Sequence, residues 1–283
     1  MLQGACVYAL EIPAKLVTTE WLEKNISDKT IRIIDMRDKV SDYWEAHIPG
    51  AVYLNPETLR LADKGVPVKL MALEALTIML GKMGITQSTA VIVYSAKNDY
   101  NAPYLLWALD CLGHRTSAIL EGGFAKWQLE VRPLSQDYPA ILSYEYPRVL
   151  NVRRNLRVTV KQVADRGASA ILLDVRPLQL YSGEKGPWRR KGHIKGAIHH
   201  FWGEDIREDG TWRSGEDLKK AYAGIGVTPN KDIIIYSGEG MMSAHTYFTL
   251  KYILGFSYVR NYDGGFSEWS GVDELPVEVG GGS

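Results

Sequence analysis

The 283 residues carry 33 basic and 33 acidic side chains, and 46% of them are hydrophobic, which is typical of a folded protein of about two domains. Because the charges balance and no basic run is interleaved with aromatic residues, nucleic acid and charged membranes are excluded as expected partners, and a small ligand or a protein is favoured. The only cysteines, Cys6 and Cys111, have no metal-like spacing, which argues against a disulfide framework or a zinc site.

The amino-terminal stretch "MLQGACVYALEIP" lacks the basic segment and the long apolar core of a signal peptide. No apolar run reaches the roughly 20 residues that a membrane-spanning helix needs. The sequence therefore predicts a cytoplasmic protein with no membrane partner.

Short apolar runs alternate with helical segments along the first half of the chain. The runs "IRIID" and "VIVY" are strand-like, whereas "NAPYLLWALDCLGH" predicts a helix with Asn101 as its N-cap, Pro103 in its first turn and Gly113 at its end. This alternation predicts an α/β fold with a mostly parallel sheet.

The second half repeats the first at a nearly fixed offset. Asp174 in "ILLDVRP" follows Asp35 in "IRIIDMRD" by 139 residues, and Tyr236 in "IIIYS" follows Tyr94 in "VIVYS" by 142 residues. The string "LEGGFAKW" likewise recurs as "YDGGFSEW". One domain has been duplicated in tandem.

The repeat also predicts domain boundaries. We expect an N-terminal domain over residues 1–138 and a C-terminal domain over residues 157–283. The stretch between them, residues 139–156, has no counterpart in the repeat, and its prolines and polar residues are typical of a linker.

The segment "IIIYSGEGMMSAHTYF" predicts a buried strand, a loop over residues 237–243 and a helix. Such a junction directs backbone N–H groups toward its mouth, so it can bind an anion or lower the pKa of a nucleophile. Ligands of open α/β sheets bind at the carboxyl ends of strands, where this loop lies.

These motifs, in order and duplicated, resemble those of the tandem-domain rhodaneses, the thiosulfate or 3-mercaptopyruvate sulfurtransferase family. The resemblance rests on "IIDMRD" and "AHIPGAVYL" in the first half and on "LLDVRP", "KGHIKGAI" and "LKYILGFSYVRNYDGGFSEW" in the second, and it spans nearly the whole chain. It implies two rhodanese domains, each a mostly parallel sheet flanked by helices. It also implies that the N-terminal domain is catalytically silent and that the C-terminal domain carries the active-site loop.

The same resemblance implies a reaction. In this family a loop cysteine takes a sulfane sulfur from a small anionic donor, thiosulfate or 3-mercaptopyruvate, and forms a persulfide. The sulfur then passes to an acceptor, which is cyanide or a thiol, including a protein thiol. No cofactor and no metal are predicted.

Ser237 stands where the family has its cysteine. A serine hydroxyl is far harder to ionise than a thiol and cannot hold a transferable sulfur, so the chain as written is predicted to be inactive or nearly so. The G-x-S-x-G elbow of serine hydrolases is absent because Ile235 stands at its first position, and His245 is predicted to be a helix-packing or capping residue and not a base. A natural loss of the cysteine and a deliberate replacement both stay open, as does a non-catalytic module that binds an anion, a persulfide or a protein partner.

The remaining loop residues are predicted to bind the substrate. Their neutral pattern resembles the loops of mercaptopyruvate enzymes, although the carboxylate of Glu239 would repel dianionic thiosulfate. Met241 and Met242 could line a sulfur site or fill space against the N-terminal domain. The full predicted set is Gly238, Glu239, Gly240, Met241, Met242 and Ser243.

By resemblance, the arginine before the second "GHI" motif binds the anionic end of the donor. This role falls first to Arg190 and second to Arg189, since a guanidinium matches sulfonate or carboxylate geometry. Some thiosulfate enzymes have a further arginine where this chain has Leu180.

Several titratable residues occur in both the silent and the active half, so a structural role is predicted for them. The carboxylates are expected to pair with the arginines and to accept backbone N–H groups. Cys111 is expected to be buried and Cys6 to be an exposed terminal thiol. The repeated residues are Asp35, Arg37 and His47 in the first half and Asp174, Arg176 and His193 in the second.

Overall fold

The structure is a computed structural model that describes residues 10–147 and 153–281. Cys6 and part of the predicted linker, residues 148–152, lie outside the described residues. Residues 139–147 contain neither helix nor strand. The predicted domain boundaries stay a prediction.

The first half is built on a five-stranded parallel sheet with the strand order β1-β7-β6-β2-β3. Its central strand β6, "AVIVY", is buried at every position, as expected where helices cover both faces of a parallel sheet. The elements are β1 Leu16–Val17, α1 Thr19–Asn25, β2 Ile31–Asp35, α2 Val40–Glu45, β3 Ala51–Tyr53, a 3-10 turn Pro56–Leu59, β4 Arg60–Asp63, β5 Val66–Leu70, α3 Leu73–Lys82, β6 Ala90–Tyr94, α4 Asn101–Leu112, β7 Ser117–Leu120 and α5 Gly123–Leu129.

The second half is built on a four-stranded parallel sheet with the order β10-β8-β11-β12. A two-stranded antiparallel pair, β9 with β13, lies beside it. The elements are a 3-10 turn Arg154–Leu156, α6 Val160–Ala164, β8 Ile171–Asp174, α7 Leu178–Tyr181, β9 His193–Ile194, β10 Ile198–His199, a 3-10 turn Trp202–Asp205, α8 Gly215–Gly224, β11 Ile233–Tyr236, α9 Met241–Phe248, a π-helical turn Thr249–Ile253, β12 Val259–Tyr262, α10 Gly265–Ser270 and β13 Val277–Glu278.

The two sheets share one strand order, so the predicted α/β fold of two repeated domains is confirmed. They differ at one edge. In the first sheet β1 pairs with β7, and Leu16 lies opposite Ile119. In the second sheet a single bridge between Arg157 and Asn261 stands at the corresponding place.

Helix α4 ends as predicted but begins differently. Gly113 follows its last residue with a φ of 83°, a left-handed conformation that glycine adopts without strain. Asn101 is the first helical residue, not the N-cap, and its amide donates to the Met36 carbonyl at 3.1 Å and to the Asp38 carboxylate at 2.7 Å. The side chain therefore connects α4 to the end of β2.

The two halves share a buried interface in which each half receives a carboxylate from the other. Asp263 of the C-terminal half accepts from the Leu70 N–H of the β4–β5 hairpin at 2.9 Å. Asp110 of the N-terminal half accepts from the hydroxyls of Tyr247 at 3.1 Å and Tyr252 at 2.5 Å. Helices α4 and α9 pack against each other, and the hairpin reaches across to the second half. No helix among the described residues is both long and apolar enough to cross a membrane.

Candidate active-site loop

Ser237 directly follows the last residue of β11 and is 1% exposed. Its Oγ accepts the Gly240 N–H at 3.1 Å and lies 3.3 Å from the Oγ of Ser243. Because Ser243 donates its single hydroxyl proton to the Gly240 carbonyl at 2.9 Å, the Ser237 hydroxyl is left to donate to Ser243. No histidine or carboxylate of the described residues hydrogen-bonds to Ser237 Oγ, so the hydroxyl has no base to activate it.

Two carbonyl groups of the loop are hydrogen-bonded within the C-terminal half, and the loop leads directly into the N-terminus of α9. The Phe266 N–H donates to the Ser237 carbonyl at 2.8 Å, and the Ser267 N–H donates to the Gly238 carbonyl at 3.0 Å. The N–H groups in the first turn of α9 have no acceptor inside the helix and carry partial positive charge. Gly240 precedes α9 with a φ of 84°, and a Cβ there would meet Asp263 Oδ1 at 2.7 Å, so only glycine fits.

A cavity of about 190 Å³ opens beside Ser237, and both halves of the chain line it. This volume suits an ion or molecule of a few non-hydrogen atoms. The walls combine two arginines with apolar and aromatic side chains. The lining residues are Arg60, Tyr100, Arg176, Leu180, Trp188, Ser237, Gly238, Glu239, Met241 and Met242. The loop residues predicted from sequence are therefore brought together at this cavity, except Gly240 and Ser243, which lie behind it in the loop.

Arg60 brings a cation from the N-terminal half to the cavity. It is the first residue of β4, and its side chain is 7% exposed. Nη1 donates to Glu57 at 2.6 Å, and Nη2 donates to the carboxylate of Glu239. The loop carboxylate predicted to repel a dianion is thus paired with a cation from the other half.

Arg176 brings a second cation from the end of β8. Its side chain is fully buried, pairs with Asp174 and donates to the Gly192 carbonyl at 2.8 Å. The guanidinium lies 4.2 Å from the ring centre of Phe266 and 5.2 Å from that of Trp188. The ion pair and the backbone N–H bond to Asp174, 3.0 Å long, agree with the structural role predicted for the repeated pairs.

The matching pair in the first half, Arg37 with Asp35 at 2.6 Å, makes the same contacts, including a 3.0 Å bond from the Arg37 N–H. The repeated histidines also correspond. His47 and His193 each bond through Nδ1 to a backbone carbonyl, at 2.8 and 2.9 Å, and stack on a neighbouring tyrosine.

The structure does not bring the two arginines predicted from the "GHI" motif into the cavity lining. Arg190 donates to five backbone carbonyls, and Arg189 is exposed and pairs with Asp273. A guanidinium with this many acceptors fixes the end of α10 and the segment that follows it. The carbonyls belong to Trp269, Ser270, Val272, Asp273 and Leu275.

His245 packs inside the helix region, as predicted. It is 1% exposed and stacks on Trp212 with ring centres 4.9 Å apart. Burial lowers the pKa of His245 to about 4, so its ring is neutral near pH 7. Cys111 is buried, and burial raises the pKa of its thiol well above the usual value. No group of histidine, cysteine and carboxylate side chains that could hold a metal occurs in the part of the chain that the structure describes.

Besides Leu180, which the sequence analysis names only as the place of a missing arginine, sequence reasoning missed four residues of the cavity wall as ligand contacts. Arg60 and Tyr100 come from the half expected to be silent, and no motif marks them. Trp188 stands in "GPWRRKG" next to the arginines that were favoured instead. Arg176 was assigned a structural role only, because its pair is duplicated.

Comparisons with known proteins agree with this architecture. The model of the rhodanese-like domain family matches residues 18–130 and 158–271. The sulfur carrier protein TtuD of Thermus thermophilus is 32% identical over 95% of this chain and 98% of its own length. A thiosulfate sulfurtransferase of Corynebacterium glutamicum is 32% identical over 95% of this chain and 91% of its own. The wild-type structure of EanB superposes with a TM-score of 0.85 at 25% identity, covering 95% of this chain and 70% of that one. The chain belongs to the rhodanese sulfurtransferase family and consists of two tandem rhodanese domains.

Proposed function

We propose that loop 237–243 is the donor cradle of a rhodanese sulfurtransferase that lacks only its nucleophile. The observation that carries the proposal is the position of Ser237 Oγ, which accepts a loop N–H at the mouth of α9 and borders a cavity with two arginines. The donor is a small anion, thiosulfate or 3-mercaptopyruvate, and the acceptor is cyanide or a thiol, a protein thiol included. A reducing compartment such as the cytoplasm suits these acceptors.

With serine in place, the chain binds the donor and does not carry its sulfur. Sulfur transfer needs a thiolate, which attacks the outer sulfur of thiosulfate while the S–S bond breaks and sulfite leaves with the electron pair. An acceptor thiolate then attacks the outer sulfur of the persulfide and releases the enzyme thiolate. The Ser237 hydroxyl has no base beside it, and oxygen holds no transferable sulfane sulfur.

The test is to place a cysteine at position 237, where the family has its nucleophile. Ser237→Cys should give a thiol whose pKa is lowered by the Gly240 N–H and the entrance of α9. After incubation with thiosulfate or 3-mercaptopyruvate, intact mass spectrometry should show one added sulfur atom, which cyanide or dithiothreitol removes. The Ser237 parent should show no such adduct, and its own thiols, Cys6 and Cys111, serve as the internal control.

Ser95→Cys is the matched control, because Ser95 occupies the corresponding position after β6 and is also buried. It should gain no labile sulfur. A folded Ser237→Cys variant that takes no sulfur from any donor would overturn the proposal. That result would favour the second function, a non-catalytic module that binds an anion, a persulfide or a protein partner, for which the unactivated serine is the supporting observation.

A further inference from the structure

Two buried guanidinium nitrogens of residues that line the loop cavity have no hydrogen-bond acceptor. They are Nε of Arg60 and Nη1 of Arg176, and both residues line the cavity beside Ser237. Buried donors of folded proteins are nearly always paired, because an unpaired one loses its hydration without compensation. The remaining buried and unpaired arginine atom of the described residues, Nε of Arg32, belongs to a residue outside this cavity. Two of the three buried arginine nitrogens without an acceptor therefore belong to residues that line this cavity.

The two arginines are presented by different domains but in similar ways. In each case other nitrogens of the guanidinium are held by protein carboxylates, Glu57 and Glu239 for Arg60 and Asp174 for Arg176. These contacts fix the planar groups and leave one nitrogen of each without an acceptor. Planar guanidinium donors match the oxygens of a carboxylate or a sulfonate.

Glu239 has the geometry of a displaceable group. Its carboxylate sits on Arg60, yet its side chain is 43% exposed, and it stands between Gly238 and Gly240. With Glu57 also paired to Arg60, the cluster of one arginine and two carboxylates carries a net negative charge. An incoming anion is repelled until Glu239 turns out toward solvent, where hydration compensates its charge.

We infer that Arg60 and Arg176 together form a two-domain subsite for the oxyanion group of the donor, and that the carboxylate of Glu239 is the resident anion that the donor displaces from Arg60. The oxyanion is the sulfonate end of thiosulfate or the carboxylate of 3-mercaptopyruvate. The inference rests on the proposed function for the identity of the ligand. It assigns to the silent half a direct contact with the substrate.

The test is isothermal titration of the full chain with thiosulfate and, separately, with 3-mercaptopyruvate at fixed ionic strength. Arg60→Gln should weaken the binding of both anions about tenfold to a hundredfold, the usual effect of losing a charged hydrogen bond. Glu239→Gln should strengthen binding about tenfold, since it removes the competing charge. The gain in affinity should be larger for thiosulfate than for 3-mercaptopyruvate, because the carboxylate of Glu239 repels a dianion more strongly.

Arg132→Gln is the control, because Arg132 also lies in the N-terminal half between two carboxylates, Glu23 and Glu130, but does not line the cavity. It should bind both anions like the parent. Circular dichroism checks the fold of each variant. If Arg60→Gln fails to fold, the predicted gain of anion affinity in Glu239→Gln still tests the subsite.

Parent-like binding by Arg60→Gln, or unchanged binding by Glu239→Gln, would overturn the subsite and leave the sulfur chemistry of Ser237→Cys untouched. Conversely, a Ser237→Cys variant that binds anions through Arg60 but takes no sulfur would overturn the proposed function and leave the subsite standing.

Discussion

The two halves carry the same strand, loop and helix, but only the C-terminal loop is open. In the N-terminal loop the carboxylate of Asp99 accepts the Ala96 N–H at 2.8 Å, the Asn101 N–H at 3.0 Å and the hydroxyl of Ser95. The cavity there measures about 30 Å³, against about 190 Å³ beside Ser237. The donors of the N-terminal loop are therefore bonded to a carboxyl group of the chain itself.

The repeat shows which residue of the C-terminal loop corresponds to Asp99. Asp99 lies 142 residues before Met241, the same offset that separates Ser95 from Ser237. Where the N-terminal loop has a carboxylate, the C-terminal loop has an apolar side chain that lines the cavity. Asp99 therefore occupies a helix entrance whose counterpart in the C-terminal half borders the open cavity.

The largest expected effect comes from closing the open loop. In the Ser237→Cys background, Met241→Asp should slow sulfur uptake from thiosulfate by about a hundredfold, because the new carboxylate would accept the loop N–H groups and raise the pKa of the thiol. Timed mass spectrometry of the labile adduct measures the rate. Met241→Asn removes the same apolar contact without adding charge and should be affected much less. Equal losses in the two variants would show that packing, not charge, distinguishes the loops.

A second test uses the pH dependence of stability. Burial raises the pKa of Asp99 to about 7, so the folded state holds a proton that the unfolded state releases near pH 4. Stability due to this group is therefore lost as pH rises from about 4 to 7, by at most about 1.4 kcal/mol per pH unit. Asp99→Asn should make this decline shallower in urea denaturation between pH 5 and pH 7.

Asp209→Asn is the control for the pH test. Hydrogen bonds from Thr211 lower the pKa of Asp209, so its titration lies below that range and its removal should leave the slope unchanged. Parallel curves for Asp99→Asn and the parent would contradict a carboxyl group that titrates between pH 5 and pH 7 in the N-terminal loop.

The smallest expected effect concerns the hydroxyl behind the nucleophile position. Ser243 Oγ lies 3.3 Å from Ser237 Oγ, and the N-terminal loop has Asn101 at this place. In the Ser237→Cys background, Ser243→Ala should lower the reactivity of the thiol toward iodoacetamide at pH 7 about twofold to tenfold, the effect of one neutral hydrogen bond. The pH profile of alkylation measures it. A loss as large as that of Met241→Asp would mean that Ser243, not the backbone, controls the thiolate.

The fold and the position of the loop could be predicted because both depend on local patterns. A buried parallel strand is an apolar run in the sequence, such as "IIIY". Gly113 follows a helix and Gly240 precedes one, and both have a positive φ that glycine adopts without strain. The central strands and the glycine motifs also occur in both halves of the sequence. Asn101 was placed one residue outside its helix, since a cap depends on the exact φ and ψ of the chain.

The contribution of Arg60 to the cavity could not be predicted from local sequence patterns. Arg60 and Glu239 lie 179 residues apart in the chain and meet only because the β4–β5 hairpin crosses to the other half. Arg190 was favoured for its motif, yet the carbonyls after α10 that bind it come together only in the folded domain. Contacts between distant segments leave no periodic signal in a single sequence.

The exchange of carboxylates at the interface has a consequence for the history of the chain. Asp110 accepts from the hydroxyls of Tyr247 and Tyr252, and Asp263 accepts the Leu70 N–H in addition to its ion pair with Arg157, so each half supplies hydrogen bonds to a buried carboxylate of the other. A deletion that removed the N-terminal half would leave the other half with an exposed apolar face and would take the Leu70 hydrogen bond from Asp263, which would keep its ion pair with Arg157. Selection acting on the C-terminal loop alone therefore preserves both copies of the duplicated domain.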